Sequence, residues 1–172
     1  MEIGKTKLIG FLRELDLHLS RRIRLIAVGG TAMTLLGLKP STIDIDFELS
    51  HEDAGEFKKA TGMFAHGIKK IDTFGDGLIF SQQLPEDHAE KIIPIKTGFD
   101  KIQLYSLHPV DIVVTKIGRL DGRDVQDIEM CIKKYRLTME EIKNRAKAVT
   151  YTGREENYRI NLKHVLERFF QS

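Results

Sequence analysis

The chain has 172 residues, 41% of them apolar, enough for one sizeable core and a single domain as the default. Charged residues reach 30% with a formal net charge of only +2, which excludes a basic nucleic-acid coat or an acidic tail and leaves local contacts as the route to a polyanion. The lone Cys131 excludes an intrachain disulfide or a cysteine-rich zinc site, and no stretch approaches the roughly 18 apolar residues of a membrane span, so a cytoplasmic protein without a membrane partner is expected.

Residues 3–19 set Ile3, Leu8, Leu12, Leu15 and Leu17 at roughly helical spacing among charged residues, which predicts an amphipathic helix packed on a sheet. Residues 22–28 are short, branched and apolar and run into Gly29-Gly30, after which residues 31–38 read as a short helix closed by Gly37 and Pro40. Residues 42–49 alternate with period two. Ile43, Ile45, Phe47 and Leu49 fall on one face and Asp44, Asp46 and Glu48 on the other. A helix is expected over 52–65, with strands at 67–73, 77–83, 91–96 and 101–107 and a tight hairpin turn at Gly75-Asp76-Gly77. From Pro109 the pattern becomes helical, over 109–119, 123–134, 138–149 and 156–170. Strands first and helices last predict an α/β (α+β) fold: a mixed sheet domain over 1–108 and a C-terminal helical region over 109–172 packed on it as one unit.

Two features carry chemistry. A strand that delivers Gly29-Gly30 into a helix start presents backbone N–H groups and lets a phosphate approach without a side-chain clash; a plain sharp turn is the alternative reading. Asp44 and Asp46, two apart on a strand, aim two carboxylates the same way, and oxygen donors at that spacing hold Mg²⁺ or Mn²⁺; a solvated strand face is the alternative. Thr42, two residues before Asp44, is either a phosphate ligand or simply a good strand residue.

The two features together, a glycine turn followed 14 residues later by Asp-x-Asp, resemble the nucleotidyltransferase superfamily. Val28, Gly29, Gly30, Asp44 and Asp46 carry the match. Residues 107–128, LHPVDIVVTKIGRLDGRDVQDI, are similar to a K-x-x-R-x-x-x-R-D-x-x-D region in a prokaryotic branch related to type IV toxin–antitoxin nucleotidyltransferase toxins. The resemblance spans about residues 24–130. It implies a mixed sheet with flanking helices, metal on Asp44 and Asp46, and triphosphate at Gly29, Gly30 and Thr31. Lys116 and Arg119, three apart on one helix, can reach a phosphate, with Lys116 neutralising its charge. Arg123, Asp124 and Asp127 sit at a helix start, either orienting the site or fixing Lys116 and Arg119 by ion pairs.

The resemblance also implies a third carboxylate on a later strand. Glu48 lies one step too far along its strand and Asp76 sits in a turn, so neither fills that place. The expected activity is metal-dependent transfer of a nucleoside monophosphate from a nucleoside triphosphate to a hydroxyl of RNA, protein or a small molecule. The toxin likeness implies an antitoxin-like protein as partner. The alternative is a nucleotide-binding or interaction module of the same fold with weakened catalysis. His18, His51, His66, His88, His108 and His164 show no ligand spacing and read as surface or cap residues. In the C-terminal helix the apolar positions from Ile160 to Phe170 read as core or an oligomer contact, and Arg159 and Lys163 as a solvated face rather than an RNA guide.

Overall fold

The computed structural model describes residues 2–68 and 70–171. Along these the elements run β1 (Ile3–Gly4), α1 (Lys5–His18), β2 (Ile23–Ala27), α2 (Gly29–Leu35), β3 (Ser41–Thr42), β4 (Ile45–Glu48), α3 (His51–Phe64) and β5 (Ile71–Phe74). There follow β6 (Leu78–Ile79), β7 (Gln82–Gln83), a 3₁₀ turn (Glu86–Glu90), β8 (Ile93–Pro94), β9 (Ile102–Ser106), α4 (Pro109–Ile117), α5 (Gly122–Tyr135), α6 (Met139–Lys147), β10 (Thr150–Tyr151) and α7 (Glu155–Phe170). The chain divides into two compact units, one of residues 1–76 and 92–106, the other of 77–91 and 107–172.

In the first unit the described residues form a mixed sheet in the order β5-β4-β2-β9-β8. β2 runs parallel to β9 and antiparallel to β4, and β4 runs parallel to β5. Helix α1 buries Leu8, Phe11, Leu12 and Leu15, and Phe57 of α3 meets Phe47 of β4 edge-on at 6.1 Å. Leu17, expected on the apolar stripe of α1, is instead exposed, and Phe11 takes a place on the buried face. In the last turn of α1, the Asp16 carboxylate accepts the N–H groups of Asp100, Lys101 and Ile102 at 2.8–3.0 Å, which fixes the start of the strand beside β2.

The expected single strand over 42–49 is two strands. Thr42 pairs with Ile3 and Ile45 with Ile71, so the alternation breaks at Ile43-Asp44, where the chain passes from one ladder to another. Ile43 is consequently exposed, not part of an apolar face, whereas every residue of β4 is buried. The expected strand 67–73 includes Lys69, outside the described residues; β5 begins at Ile71.

In the second unit, α4 is buried along its whole length, surrounded by α5, α6 and α7. A small antiparallel sheet in the order β10-β7-β6 accompanies the helices. Asp76 and Gly77 adopt positive φ, but β5 pairs with β4 and β6 with β7, so the expected hairpin at Gly75-Asp76-Gly77 does not form. The tight hairpin turn is Phe80-Ser81, with φ of 47° and 70°, positive at both positions as in the type I′ form of a two-residue hairpin. The backbone N–H and hydroxyl of Thr152 donate to Ser81 O at 2.9 and 3.0 Å, tying that turn to β10.

Candidate active site

The glycine turn and the carboxylate strand meet because β4 runs back antiparallel along β2. Val28, at the end of β2, donates its N–H to Asp46 O at 3.2 Å. Gly29 has φ of +52°, a conformation that costs an L side chain roughly 1–2 kcal/mol. A Cβ on Gly30 would stand 2.5 Å from Thr42 Oγ1, so Gly29 answers to its own backbone conformation and Gly30 to the neighbouring Thr42 side chain. The first bond of the α2 ladder runs from Ala32 N to Val28 O; as at any helix start, the preceding N–H groups have no partner within the helix.

Thr31 and Thr42, expected to touch phosphate, both hold the backbone of the acidic strand. Each donates its hydroxyl to Asp44 O, at 3.1 and 2.9 Å. Thr31 Oγ1 also accepts the Asp46 N–H at 2.9 Å. These bonds connect the helix that follows the glycines to the residues bearing the carboxylates, and no hydrophobic layer intervenes.

β4 and β5 add a residue that the sequence reading did not select. Asp46 stands directly in register with Asp72 on the parallel neighbour, and in-register side chains project to the same face. Lys70 closes the group: its ammonium lies 3.2 Å from Asp44 Oδ2 and 3.4 Å from Asp72 Oδ2. The hydrogen bond to Asp44, then the charges of Asp44 and Asp72, raise the Lys70 pKa. Asp46 is only 5% exposed, whereas the Asp72 side chain is 42% exposed.

Among the described residues no group of three or more His, Cys, Asp or Glu side chains is arranged to hold a metal ion by itself. Mg²⁺ rarely uses such a cage, taking one or two carboxylates and completing its shell with water and substrate phosphate. The donors here fit that pattern, being hard oxygens already gathered around one cation, the Lys70 ammonium.

A family model described as "Nucleotidyltransferase of unknown function (DUF6036)" matches residues 6–171. The chain belongs to this family. A crystal structure of an antigenic nucleotidyltransferase-like protein from Paracoccidioides brasiliensis has the same fold, with a TM-score of 0.55 at 14% identity, over 98% of this chain and 91% of that one. None of the curated proteins matches the sequence. The mixed α/β architecture expected from the resemblance is therefore that of a nucleotidyltransferase-like fold, and among the described residues no helix is long and apolar enough to cross a membrane.

In this nucleotidyltransferase-family chain the remaining predicted residues form a separate network within the second unit. Lys116 of α4 is 6% exposed and pairs with Asp124 at 3.1 Å and Asp127 at 2.8 Å, both on α5. Arg119 grips Asp124 through two bonds of 2.7 and 2.8 Å. Burial alone would raise the Asp124 pKa; the Arg119 hydrogen bonds and the Lys116 charge outweigh it and hold that carboxyl below its usual range. The same pairing raises the Arg119 pKa. Asp121 and Asp124 form a capping box at the start of α5, and Arg123, exposed, donates its N–H to Asp121 Oδ1. The structure thus gathers Gly29, Gly30, Thr31, Thr42, Asp44 and Asp46 in one unit, and Lys116, Arg119, Arg123, Asp124 and Asp127 in the other.

A second buried ionic group braces α4. Arg145 of α6, 8% exposed, binds Asp111 through Nε and Nη2 at 2.5 and 3.0 Å and reaches Asp87 at 2.7 Å. Of the histidines, His108 caps α4 by accepting the Val110 N–H, while His88, expected at the surface or at a cap, is buried and bonded to Pro85 O. In α7, Val165 is buried and Ile160 is exposed; Arg159 and Lys163 pair with Glu155 and Glu167 along the helix.

Asp72, Lys70 and Lys39 stand at the candidate site and were not among the residues selected from the sequence. Lys39 places its ammonium beside the glycine turn, 3.8 Å from where a Gly30 Cβ would project. The usable signal was Ile71-Asp72-Thr73, an acidic residue flanked by strand formers inside a predicted strand. Only the parallel pairing of β4 with β5 shows that this acid, not Glu48 or Asp76, is Asp46's neighbour.

Proposed function

We propose that this protein is a metal-dependent nucleotidyltransferase that moves a nucleoside monophosphate from a nucleoside triphosphate to a hydroxyl acceptor. The observation that carries the proposal is Asp46 and Asp72 in register on parallel strands, beside a glycine turn hydrogen-bonded to the same segment. The acceptor oxygen attacks the α-phosphorus, the bond to the β-phosphate oxygen breaks, and pyrophosphate leaves. Asp44 and Asp46, with Asp72 adjoining, would hold Mg²⁺ or Mn²⁺, which would supply charge neutralisation for the phosphates.

The chain's own groups divide the remaining work. Gly29 and Gly30 admit the phosphates to the turn, and Lys39 offers them a cation there. Thr31 and Thr42 keep Asp44 and Asp46 in place through their backbone, which is how we assign their contribution to nucleotide binding. Asp72, more exposed than Asp46, accepts the proton of the acceptor hydroxyl. Lys116, doubly paired and buried, is assigned to bracing α4 against α5, with Asp124 and Asp127 as its partners. Arg119, exposed and anchored by Asp124, is a cation of the second unit for a phosphate-bearing substrate, and Arg123 is assigned an orienting role at the start of α5. The non-catalytic alternative rested on the want of a third carboxylate, and Asp72 removes that reason.

The acceptor we assign is a hydroxyl on RNA, protein or a small molecule, and the likeness of residues 107–128 to the toxin branch supports an antitoxin-like protein as partner. Incubating the protein with each labelled nucleoside triphosphate, total RNA and Mn²⁺ tests the whole reading. Labelled product is expected. Asp46→Asn and Asp72→Asn should each lower labelling by more than about 100-fold, above the loss typical of outer-shell metal partners, while the variants stay folded. No labelling with any triphosphate, together with no nucleotide-dependent thermal shift in Mg²⁺ or Mn²⁺, would end the proposal.

A further inference from the structure

We propose that Lys70 is a displaceable internal counter-ion that sets the concentration at which the site takes up a divalent cation. The inference rests on the metal-dependent reading above and concerns what must leave before the metal enters. The Lys70 ammonium lies 3.2 Å from Asp44 and 3.4 Å from Asp72, the former two residues before Asp46 in the chain and the latter its register partner on β5. A divalent ion drawing on either of them competes with Lys70 for the same oxygens.

The geometry makes the ammonium removable without disturbing the carboxylates. The Lys70 side chain is 57% exposed, and an ammonium on a flexible stem in water is held weakly by exposed partners. Its backbone is anchored independently, since Lys70 O accepts the Ile45 N–H at 3.2 Å. Asp44 is held through its carbonyl by Thr31 and Thr42, and Asp72 by the ladder with β4. None of these bonds passes through the Lys70 side chain, so the donors stay in place when it swings out. Until then the ammonium offsets the mutual repulsion of the clustered acids. Lys70 therefore works against metal binding instead of assisting it, the opposite of what a cation that positions the carboxylates would do.

The test is a titration of the full chain with Mn²⁺, free metal being followed by electron paramagnetic resonance, with and without a non-hydrolysable triphosphate. Lys70→Met should bind Mn²⁺ about fivefold tighter than wild type, the worth of one unit-charge contact in water. Lys70→Arg, which retains a cation, should stay near wild type, and Asp46→Asn should lose binding. Equal or weaker Mn²⁺ affinity in Lys70→Met, with Asp46→Asn still losing the metal, would overturn the counter-ion role and leave the metal site standing. Absence of Mn²⁺ binding in wild type and Lys70→Met alike, even with triphosphate, would end both. Circular dichroism of each variant checks folding; Lys70 is exposed, so its replacement is expected to leave the spectrum unchanged.

Discussion

The two units each contain a lysine between two aspartates, and their surroundings make these groups opposites. Lys70 joins Asp44 and Asp72 where its side chain is 57% exposed; Lys116 joins Asp124 and Asp127 where its own is 6% exposed. In water an ion pair is weak and exchangeable, with a typical worth of about 0–1 kcal/mol. Out of water each charge has lost its hydration, and removal of one partner strands the others. The same three residue types therefore build a site that can exchange its cation and a brace that cannot, and exposure alone separates them.

Lys116→Met would break the brace and give the largest effect. It leaves two buried carboxylates without their ammonium, and unfolding by urea should report a loss of about 3–5 kcal/mol. Lys70→Met should change the same measurement by less than about 1 kcal/mol. If the two substitutions cost the same, exposure is not what distinguishes these groups.

The brace should also show its own pH dependence. The folded-state pKa of Asp124 is depressed, so its stabilisation is fully present above the unfolded value of about 3.9 and is lost as pH falls through the lower folded value. The difference in melting temperature between wild type and Asp124→Asn should accordingly be widest above about pH 5 and shrink on acidification below about pH 4. A difference that grows on acidification would contradict the pairing.

A smaller effect tests the site's backbone. Gly30→Ala brings a methyl group to 2.5 Å from Thr42 Oγ1, and Thr42 can give way only by loosening its bond to Asp44 O. A cost of about 1–3 kcal/mol is expected, as for other overpacked positions, and chemical denaturation would measure it.

Much of the helical architecture was legible in sequence, because a helix depends on near neighbours. The four predicted helices after Pro109 correspond to α4–α7 within a few residues, marked by local signals such as Pro109 at the first position of α4 and the capping box of Asp121 and Asp124. The strands were less legible. Residues 42–49 alternate cleanly, yet the alternation does not reveal that Thr42 and Ile45 belong to different ladders. Nor does any glycine mark the turn at Phe80-Ser81, which the hairpin holds at positive φ.

By itself the sequence determined the run of helices after Pro109, the glycine turn and the Asp44-x-Asp46 spacing, because each is written in a few consecutive residues. The tertiary structure alone decided that Asp72 stands beside Asp46, that Lys70 sits between two of the acids, and that Lys116 is buried while Lys70 is not. Those facts depend on which strand lies next to which and on what covers them, properties of residues some 25 or more positions apart that no local pattern encodes.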